Sequence, residues 1–308
     1  MLDPRGIYEI DEQAVAELLG APDERGTGPV LVHVLDGFID AGGVGQVVRE
    51  HLLEHSEPRR LVTFDVDQLL DYRSKRASMT FESSRWSAYD EPALAIDHLR
   101  DAEGTGYLVL HGPEPDLQWE RFVAAVQEVV ELLGVSLVAT VHGVPMAVPH
   151  TRPSSLTVHA TRGELVGSHP SWFGRAEVPA SAAALLEYRL GQAGHDAVGY
   201  AVHVPHYVAQ TAYAPAALHA LRMLQGATGL ELASEELEAA AHETTEEVAR
   251  QVTESDELRA LVRGLEQQYD AFARSFGATS LLADDAPLPT ADELGAEFER
   301  FLAQRTDD

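Results

Sequence analysis

Short apolar runs separated by polar turns fill the first two thirds of the chain. Most are continuous rather than alternating, which is typical of strands buried on both faces of a sheet. Longer segments between them repeat apolar residues every three or four positions, as one face of a helix does. The predicted strands are 29–35, 60–66, 93–99, 106–110, 135–141, 155–159 and 197–204. The predicted helices are 43–55, 116–133, 180–192 and 214–224. This alternation indicates an α/β fold.

The pattern changes near residue 230, where the strand-like runs end. Two long helices are predicted over 234–252 and 255–276, and a shorter one near 290–304. The second long helix has an apolar stripe at helical spacing, made of Leu258, Leu261, Val262, Leu265, Tyr269, Phe272 and Phe276. We therefore predict two domains, an α/β domain over residues 1–225 and an acidic α-helical region over 226–308.

The composition is that of a soluble globular protein. The chain has 308 residues, 45% of them hydrophobic, and a mean hydropathy of −0.14. No apolar run approaches the ~20 residues that a membrane-spanning helix needs. The first residues, MLDPRGIYEI, lack the basic and apolar parts of a signal peptide, which predicts a cytoplasmic location. Because there is no cysteine, disulfides, thiolate metal sites and cysteine nucleophiles are excluded.

The formal charge of −28 narrows the range of partners. Binding to nucleic acid or to an anionic membrane needs clustered cations, so neither is predicted. The 22 basic residues include a single lysine, Lys75. Many nucleotide sites place a lysine on a phosphate, and the chain contains no G-x-x-x-x-G-K-[ST] motif. We therefore predict no nucleotide or other cofactor.

A glycine-rich turn joins the first predicted strand to the first predicted helix. It contains Gly42 and Gly43 together with two acids, Asp36 and Asp40. Strand, glycine loop and helix is an arrangement that binds phosphates. However, the spacing G-x-x-x-x-G-G-x-G lacks the third glycine of the dinucleotide fingerprint, and the carboxylates would repel a phosphate. Asp40, Gly42 and Gly43 are candidate ligand contacts, with a structural corner as the favoured interpretation.

Residues 71–89, DYRSKRASMTFESSRWSAY, hold the one clear cluster of basic residues. Arg73, Lys75, Arg76 and Arg85 alternate there with Tyr72, Phe81, Trp86 and Tyr89. In a chain this acidic, cations beside aromatic rings are a candidate site for an anion or a protein partner. The alternative is a solvated loop whose cations pair with the protein's own carboxylates.

A proline-rich loop follows the strand predicted at 135–141. His142 and Arg152 lie at its two ends, and the carboxyl ends of strands are where α/β proteins bind ligands. An anion site and a rigid structural loop are both consistent with this pattern. His203 and His206 are not predicted to bind a metal, because Pro205 between them disfavours a helix and no third ligand is evident.

Five motifs in order resemble the proteasome assembly chaperone 2 family in its actinobacterial form. They are LDGFIDAGGVGQ, DYRSKR, GPEPDLQWERF, HGVPMAVPHTRP and HYVAQTAYAPAA, and the resemblance covers roughly residues 5–225. It implies a fold like that of purine nucleoside phosphorylases, a three-layer α/β/α sandwich around a mixed sheet. It also implies a non-enzymatic chaperone that binds proteasome subunits and forms a homo-oligomer, with a trimer favoured.

The resemblance leaves an enzymatic alternative open. Some actinobacterial relatives carry a carboxylate–amine ligase label, and an enzyme acting on a small anionic substrate would use Asp40, Arg73, His142 and Arg152. The chain also ends in AQRTDD. Proteasome-docking relatives often end instead in a hydrophobic–Tyr–X tripeptide that enters α-ring pockets, so the resemblance does not extend to that docking route.

Overall fold

An eight-stranded mixed β-sheet is the central layer of the protein. The computed structural model describes residues 2–20, 26–37, 39–170 and 175–281, with side chains to residue 274. The strands are β1 (Tyr8–Ile10), β2 (Val30–Asp36), β3 (Arg59–Phe64), β4 (Met79–Glu82), β5 (Arg85–Tyr89), β6 (Ala95–Arg100), β7 (Gly106–Pro113), β8 (Leu137–Met146), β9 (Leu156–Ala160) and β10 (Ala197–Pro205). The helices are α1 (Glu12–Gly20), α2 (Val44–Glu54), α3 (Val66–Leu69), α4 (Trp119–Leu132), α5 (Ala182–Ala193), α6 (Ala214–Thr228), α7 (Glu235–Glu254) and α8 (Asp256–Leu281).

Four parallel strands form the middle of this sheet. The strand order is β1-β3-β6-β7-β2-β8-β10-β9, with β4 and β5 as a separate two-stranded hairpin. Strands β7, β2, β8 and β10 are parallel, and β6 and β9 flank them in the antiparallel direction. The predicted α/β/α sandwich with a mixed sheet is confirmed, and each of the seven predicted strands overlaps an observed one.

Helices cover both faces of the sheet because its inner strands are apolar on both sides. Along β2, Val30, Val32 and Val34 join one core cluster with residues of α2, α6 and α7. Leu31 joins a second cluster with residues of α1, α4 and α5. A strand buried on both faces reads as a continuous apolar run, which is the pattern that predicted β2.

Helix α4 forms where its apolar stripe predicts a helix, but it starts three residues later than predicted. Phe122, Val126 and Val129 of the stripe are buried in the second core cluster. The helix begins at Trp119 after Gln118, which has a left-handed conformation. Asp116 was the predicted start. Its carboxylate instead accepts hydrogen bonds from Asp71 N (2.7 Å) and Ser74 Oγ (3.0 Å), so it anchors a different segment.

The C-terminal helices follow the last strand seen in the described residues, which ends at Pro205. Helix α7 adds Leu237, Ala241 and Val248 to the first core cluster. In α8, Val262 and Leu265 are buried and Phe272 is 37% exposed. The side chain of Phe276 and the helix predicted near 290–304 lie outside the described residues. By compactness the chain divides into Met1–Glu266 and Gln267–Asp308, and the boundary near residue 225 stays a prediction.

Five of these elements were not predicted from the sequence: β1, α1, α3 and the two hairpin strands β4 and β5. Strand β1 and helix α1 precede β2, and the single turn α3 follows β3. A three-residue strand and a four-residue helix are too short to show a period, so tertiary contacts determine them.

Among the described residues, no helix is both long enough and apolar enough to span a membrane.

Gly143 of β8 tests the packing between the sheet and the turn before α2. A Cβ on Gly143 would lie 1.9 Å from Ala41 O, a backbone atom that cannot rotate away. We expect Gly143→Ala to lower the free energy of unfolding by about 1–3 kcal/mol through overpacking. Gly226→Ala in α6 is the matched control, because its Cβ would meet no atom within 4 Å. It should raise stability by about 0.5–1 kcal/mol. Urea unfolding followed by circular dichroism measures both, and equal stability of Gly143→Ala and wild type would contradict the expectation.

Candidate functional site

The carboxyl edge of the parallel strands is the candidate site, because two helices begin there. Strands β2 and β7 end at this edge at Asp36 and Pro113, and α2 starts directly after the turn that follows β2. Backbone N–H groups at a helix N-terminus attract anions, which makes this edge the usual ligand position in α/β proteins. The acceptors that bind the first-turn N–H groups of these two helices therefore decide which ligands this edge can bind.

The carboxylate of Asp40 occupies the N-terminus of α2. Its Oδ1 accepts hydrogen bonds from Gly45 N and Gly143 N, both at 2.9 Å, and its Oδ2 accepts one from Gln46 N at 3.1 Å. These are first-turn N–H groups of the helix and one N–H of β8. A phosphate bound at this helix would use the same first-turn groups. The protein thus holds its own anion where the glycine loop suggests a bound one.

Gly42 and Gly43 shape the turn that presents Asp40. Gly42 has φ 67°, and a Cβ there would lie 2.9 Å from the Cβ of Tyr213. Gly42 also donates to Ala209 O and accepts from Tyr213 N, each at 2.8 Å. Gly43 is the N-cap residue of α2, with a left-handed conformation. Both glycines are required by the backbone, and their role in binding a ligand or partner stays a prediction.

A second carboxylate occupies the N-terminus of α5. Glu114 follows the end of β7, and its Oε1 accepts a hydrogen bond of 2.5 Å from Ala182 N, the first residue of α5. The side chain of Ser181 caps the same helix by accepting from Ala184 N at 3.0 Å. Both helix N-termini at this edge are therefore paired with side chains of the chain itself, which leaves a second anion with less to bind.

The predicted basic residues lie beside this edge on an exposed segment. We define the basic arm as residues 73–89, which include Arg73, Lys75 and Arg76. Lys75 Nζ is 3.9 Å from Asp36 Oδ2 at the end of β2, and Arg49 of α2 pairs with the same carboxylate. Arg73 and Arg76 form no ion pair with any residue that the structure describes. The structure brings Lys75 to the carboxyl edge and leaves Arg73 and Arg76 in solvent.

The rest of the basic arm is a hairpin with one apolar face. Every residue of β4 and β5 is exposed. Register pairs Met79 with Tyr89 and Phe81 with Trp86, so these four side chains share one face. A β-bulge makes this possible, because Trp86 and Tyr89 are three residues apart and would otherwise point to opposite faces. Their exposed fractions lie between 49% and 63%. These aromatic residues were evident in the sequence, but the face they form was not.

His142 lies two residues after Thr140 on β8, next to a polar row that crosses the sheet. His33, Thr140, Gly199 and His159 are neighbours in register on β2, β8, β10 and β9. A Cβ on Gly199 would lie 2.0 Å from the His159 ring, so the glycine lets that ring lie across β10. The His142 and His159 ring centroids are 6.0 Å apart, and His159 Nδ1 is 2.7 Å from Glu187 Oε2 on α5.

Burial keeps His33 of this row and the adjacent His142 neutral. It lowers the pKa of His33 to about 4, and it lowers the pKa of His142 to about 4 with a further contribution from His159. His33 is 1% exposed, and its Nδ1 makes no hydrogen bond within the part of the chain that the structure describes. A neutral imidazole gives an anionic ligand no charge to pair with, so the expected attraction of His142 for an anion is weak at neutral pH.

Arg152 lies on the loop after β8 and pairs with a different element. Its Nη1 is 3.2 Å from Glu266 Oε1 on α8, and Thr151 Oγ1 donates to the same oxygen at 2.5 Å. His150 Nδ1 is 2.7 Å from Tyr207 Oη in the same loop region. Arg152 and His142 therefore contact separate groups, and their joint role in binding an anion stays a prediction.

His203 also lies in the interior, between two hydroxyl groups. Its Nδ1 and Nε2 are each 2.9 Å from an oxygen, Ser155 Oγ and Thr157 Oγ1 respectively. These partners are uncharged side chains of β9 and of the residue before it. In the described ranges, no cluster of three or more histidine and acidic side chains has the arrangement of a metal site.

Calorimetry with nucleotides tests the glycine turn. We expect no heat attributable to a site when the protein is titrated with ATP, GTP or NAD in the presence of Mg²⁺, because Asp40 already accepts the first-turn N–H groups of α2. A micromolar dissociation constant for any of them, abolished by Gly43→Val, would contradict the structural interpretation of this turn.

The His33 imidazole makes stability depend on pH. Its pKa falls from the ordinary 6.5 to about 4 on folding, so the unfolded chain binds a proton in that window and the folded chain does not. The contribution of neutral His33 to the free energy of unfolding is fully present above pH 6.5. It decreases by about 1.4 kcal/mol per pH unit as the pH falls toward 4. His33→Gln removes this term.

The difference in unfolding free energy between wild type and His33→Gln should therefore decrease by about 2 kcal/mol between pH 6.5 and pH 5. His242→Gln, at an exposed position on α7, is the control for the loss of an imidazole at the surface. Parallel pH profiles of wild type and His33→Gln, measured by urea unfolding, would show that His33 is not held neutral.

Three solved structures are similar to the chain over most of its length. A Mycobacterium tuberculosis protein of unknown function is 42% identical over 90% of this chain and 92% of that chain, with a TM-score of 0.83. A Corynebacterium glutamicum protein of unknown function is 35% identical over 86% and 97%, with a TM-score of 0.79. A Mycobacterium tuberculosis proteasome-assembly chaperone homologue is 25% identical over 76% and 99%, with a TM-score of 0.70. No curated protein matches the chain.

A match to a family model confirms the family that the five motifs predict. The model of the PAC2 family matches residues 34–252, from β2 through most of α7. This range contains the glycine turn and the basic arm, and it extends past the C-terminal end of the five motifs. With the similarity to the actinobacterial structures, it establishes that the chain belongs to the PAC2 family.

Proposed function

We propose that this chain is a non-enzymatic, chaperone-like protein that binds proteasome subunits during their assembly. Membership of the PAC2 family supports the proposal. So does the similarity, at 25% identity, to a Mycobacterium tuberculosis protein described as a proteasome-assembly chaperone homologue. An assembly chaperone needs a surface that recognises another protein, and the basic arm is such a surface.

The exposed apolar face of the hairpin is the observation that carries the proposal. Met79, Phe81, Trp86 and Tyr89 lie on one face of a hairpin whose residues are all exposed. An isolated two-stranded hairpin is only marginally stable in water, and a patch of this kind on a soluble protein marks a binding surface. Aromatic residues and arginine are also the side chains that contribute most to protein–protein affinity.

Electrostatics favours an acidic protein as the partner. The arm has four cations and one carboxylate, which gives it a formal charge of +3. Because the whole chain has a formal charge of −28, the residues outside the arm sum to −31. The partner's acidic surface would be repelled by the body of the protein and attracted by the arm. From the family resemblance we further propose that the protein is a cytoplasmic homo-oligomer, with a trimer favoured, and that it needs no cofactor.

The carboxyl edge of the sheet supports the non-enzymatic proposal over the ligase alternative. Asp40 and Glu114 accept hydrogen bonds from the first-turn N–H groups of α2 and α5. An enzyme acting on a small anionic substrate would need some of those groups for the substrate. Arg73 lies in solvent and Arg152 pairs with Glu266, so these two cations are not gathered around a common point.

Binding measurements with substituted arms test the proposed function. The probes are recombinant proteasome α- and β-subunits of the native host, measured by biolayer interferometry. The variant Phe81→Ser/Trp86→Ser should lose at least tenfold in affinity, because burying one such ring contributes about 1.5–3 kcal/mol. Tyr188→Ser on α5 is the matched control, since this aromatic residue is 60% exposed and lies outside the arm.

The two variants distinguish the arm from general surface hydrophobicity. We expect Tyr188→Ser to bind like wild type, and circular dichroism should give the same spectrum for all three proteins. Absence of binding between wild type and any proteasome subunit would refute the proposed partner. Equal loss of affinity in both variants would refute the arm as the contact surface.

A further inference from the structure

Ser78 lies in the basic arm, directly before β4, with its side chain in solvent. We infer that Ser78 is a phosphorylation site for a serine/threonine protein kinase that recognises basic residues on the N-terminal side of its target.

The charges around Ser78 fit the groove of such a kinase. Lys75 and Arg76 precede Ser78 by three and two residues, and the apolar Met79 follows it. A kinase that selects basic substrates presents carboxylates to these positions. Those carboxylates would be repelled by most of a protein with a formal charge of −28. The basic arm, with a charge of +3, is the segment that attracts them.

The backbone at Ser78 is accessible to a kinase groove. Residues 76–78 have no helical or strand structure, and Ser78 is exposed. The carbonyl oxygen of Ser78 accepts one hydrogen bond, from Asp90 N at 2.9 Å, at the open end of the hairpin. Kinases bind their targets as extended segments, so residues 75–79 need little rearrangement beyond fraying of this one bond.

Hydrogen bonding distinguishes Ser78 from Ser74 and Ser87 of the arm, whereas Ser83 and Ser84 differ from it in following Thr80, Phe81 and Glu82 rather than basic residues. The Ser74 hydroxyl donates to Asp71 O (2.9 Å) and to Asp116 Oδ1 (3.0 Å), which fixes it against the body. The Ser87 hydroxyl donates to Thr80 O. The Ser78 hydroxyl makes no hydrogen bond with any residue that the structure describes. It is therefore free to act as the attacking nucleophile, whereas Ser74 is not.

The reaction is a phosphoryl transfer from ATP, which the kinase supplies with Mg²⁺. Ser78 Oγ forms a bond to the γ-phosphorus, and the bond from that phosphorus to the bridging oxygen breaks. ADP leaves with the electron pair of the broken bond, and the hydroxyl proton passes to the catalytic base of the kinase. No oxidant or reductant is needed.

Phosphorylation would reduce the positive charge of the arm. A phosphoserine carries a charge of about −1.5 to −2 at neutral pH, so the +3 of the arm falls to about +1. The phosphate would also attract Arg73 and Arg76, which are otherwise free to contact a partner. The effect on binding rests on the proposed function, under which the arm attracts an acidic protein. Phosphorylation should then weaken that binding.

Mass spectrometry tests the site itself. The full-length protein is treated with a kinase that selects basic residues two and three positions before serine, together with Mg²⁺ and ATP. Wild type and Ser74→Ala should each gain one phosphoryl group that fragmentation assigns to Ser78, and Ser78→Ala should gain none. Protein isolated from the native host should carry the same phosphate. The inference is overturned if a peptide of residues 73–80 is phosphorylated and the folded protein is not, or if native protein lacks phosphate on Ser78 throughout growth.

The functional consequence is tested separately. Phosphorylated and unmodified wild type are compared for binding to the proteasome subunit that the unmodified protein recognises. We expect phosphorylation to lower the affinity at least fivefold. This difference between the two forms should disappear in 0.5 M salt. Unchanged affinity would overturn the regulatory part of the inference. If unmodified protein binds no proteasome subunit, the proposed function fails, whereas the assignment of Ser78 is still decided by the mass spectra.

Discussion

One carboxylate, that of Asp40, joins three parts of the fold at the carboxyl edge of the sheet. Its two oxygens accept N–H groups from the first turn of α2 and from β8. Each bond has an ionised acceptor, so each is stronger than a bond between neutral groups. The bonds hold the turn against β8 so closely that Gly143 has no room for a side chain. The turn, the helix and the strand therefore depend on one another, and the helix N-terminus is filled before any ligand arrives.

The sequence predicted the elements whose burial is simplest. Strand β2 was predicted within one residue at each end, because its apolar run is continuous and polar turns flank it. Helix α4 was predicted from its stripe, although its start was wrong because Asp116 binds Asp71 and Ser74 rather than capping the helix. Strand β1 was missed because three residues carry no period.

The candidate site could be predicted only as a set of residues, not as an arrangement. Asp40 was identified as a carboxylate in a glycine turn, but its three donors lie on two elements brought together by folding. His142 was identified at a strand end, whereas its neighbours His33 and His159 depend on the register of β2, β8, β10 and β9. The apolar face of the hairpin depends on a β-bulge, which breaks the alternation by which a strand is normally recognised.

The uneven distribution of charge has a kinetic consequence. An exposed arm of +3 in a chain whose other residues sum to −31 makes the approach of a charged protein depend on direction. An acidic protein that diffuses toward an acidic surface is repelled, and one that approaches the arm is attracted. Such steering raises the rate of productive encounters without adding any contact to the final complex, and counterions reduce it over about 8–10 Å at physiological ionic strength. The hairpin would therefore determine how often, and in which orientation, two acidic proteins meet.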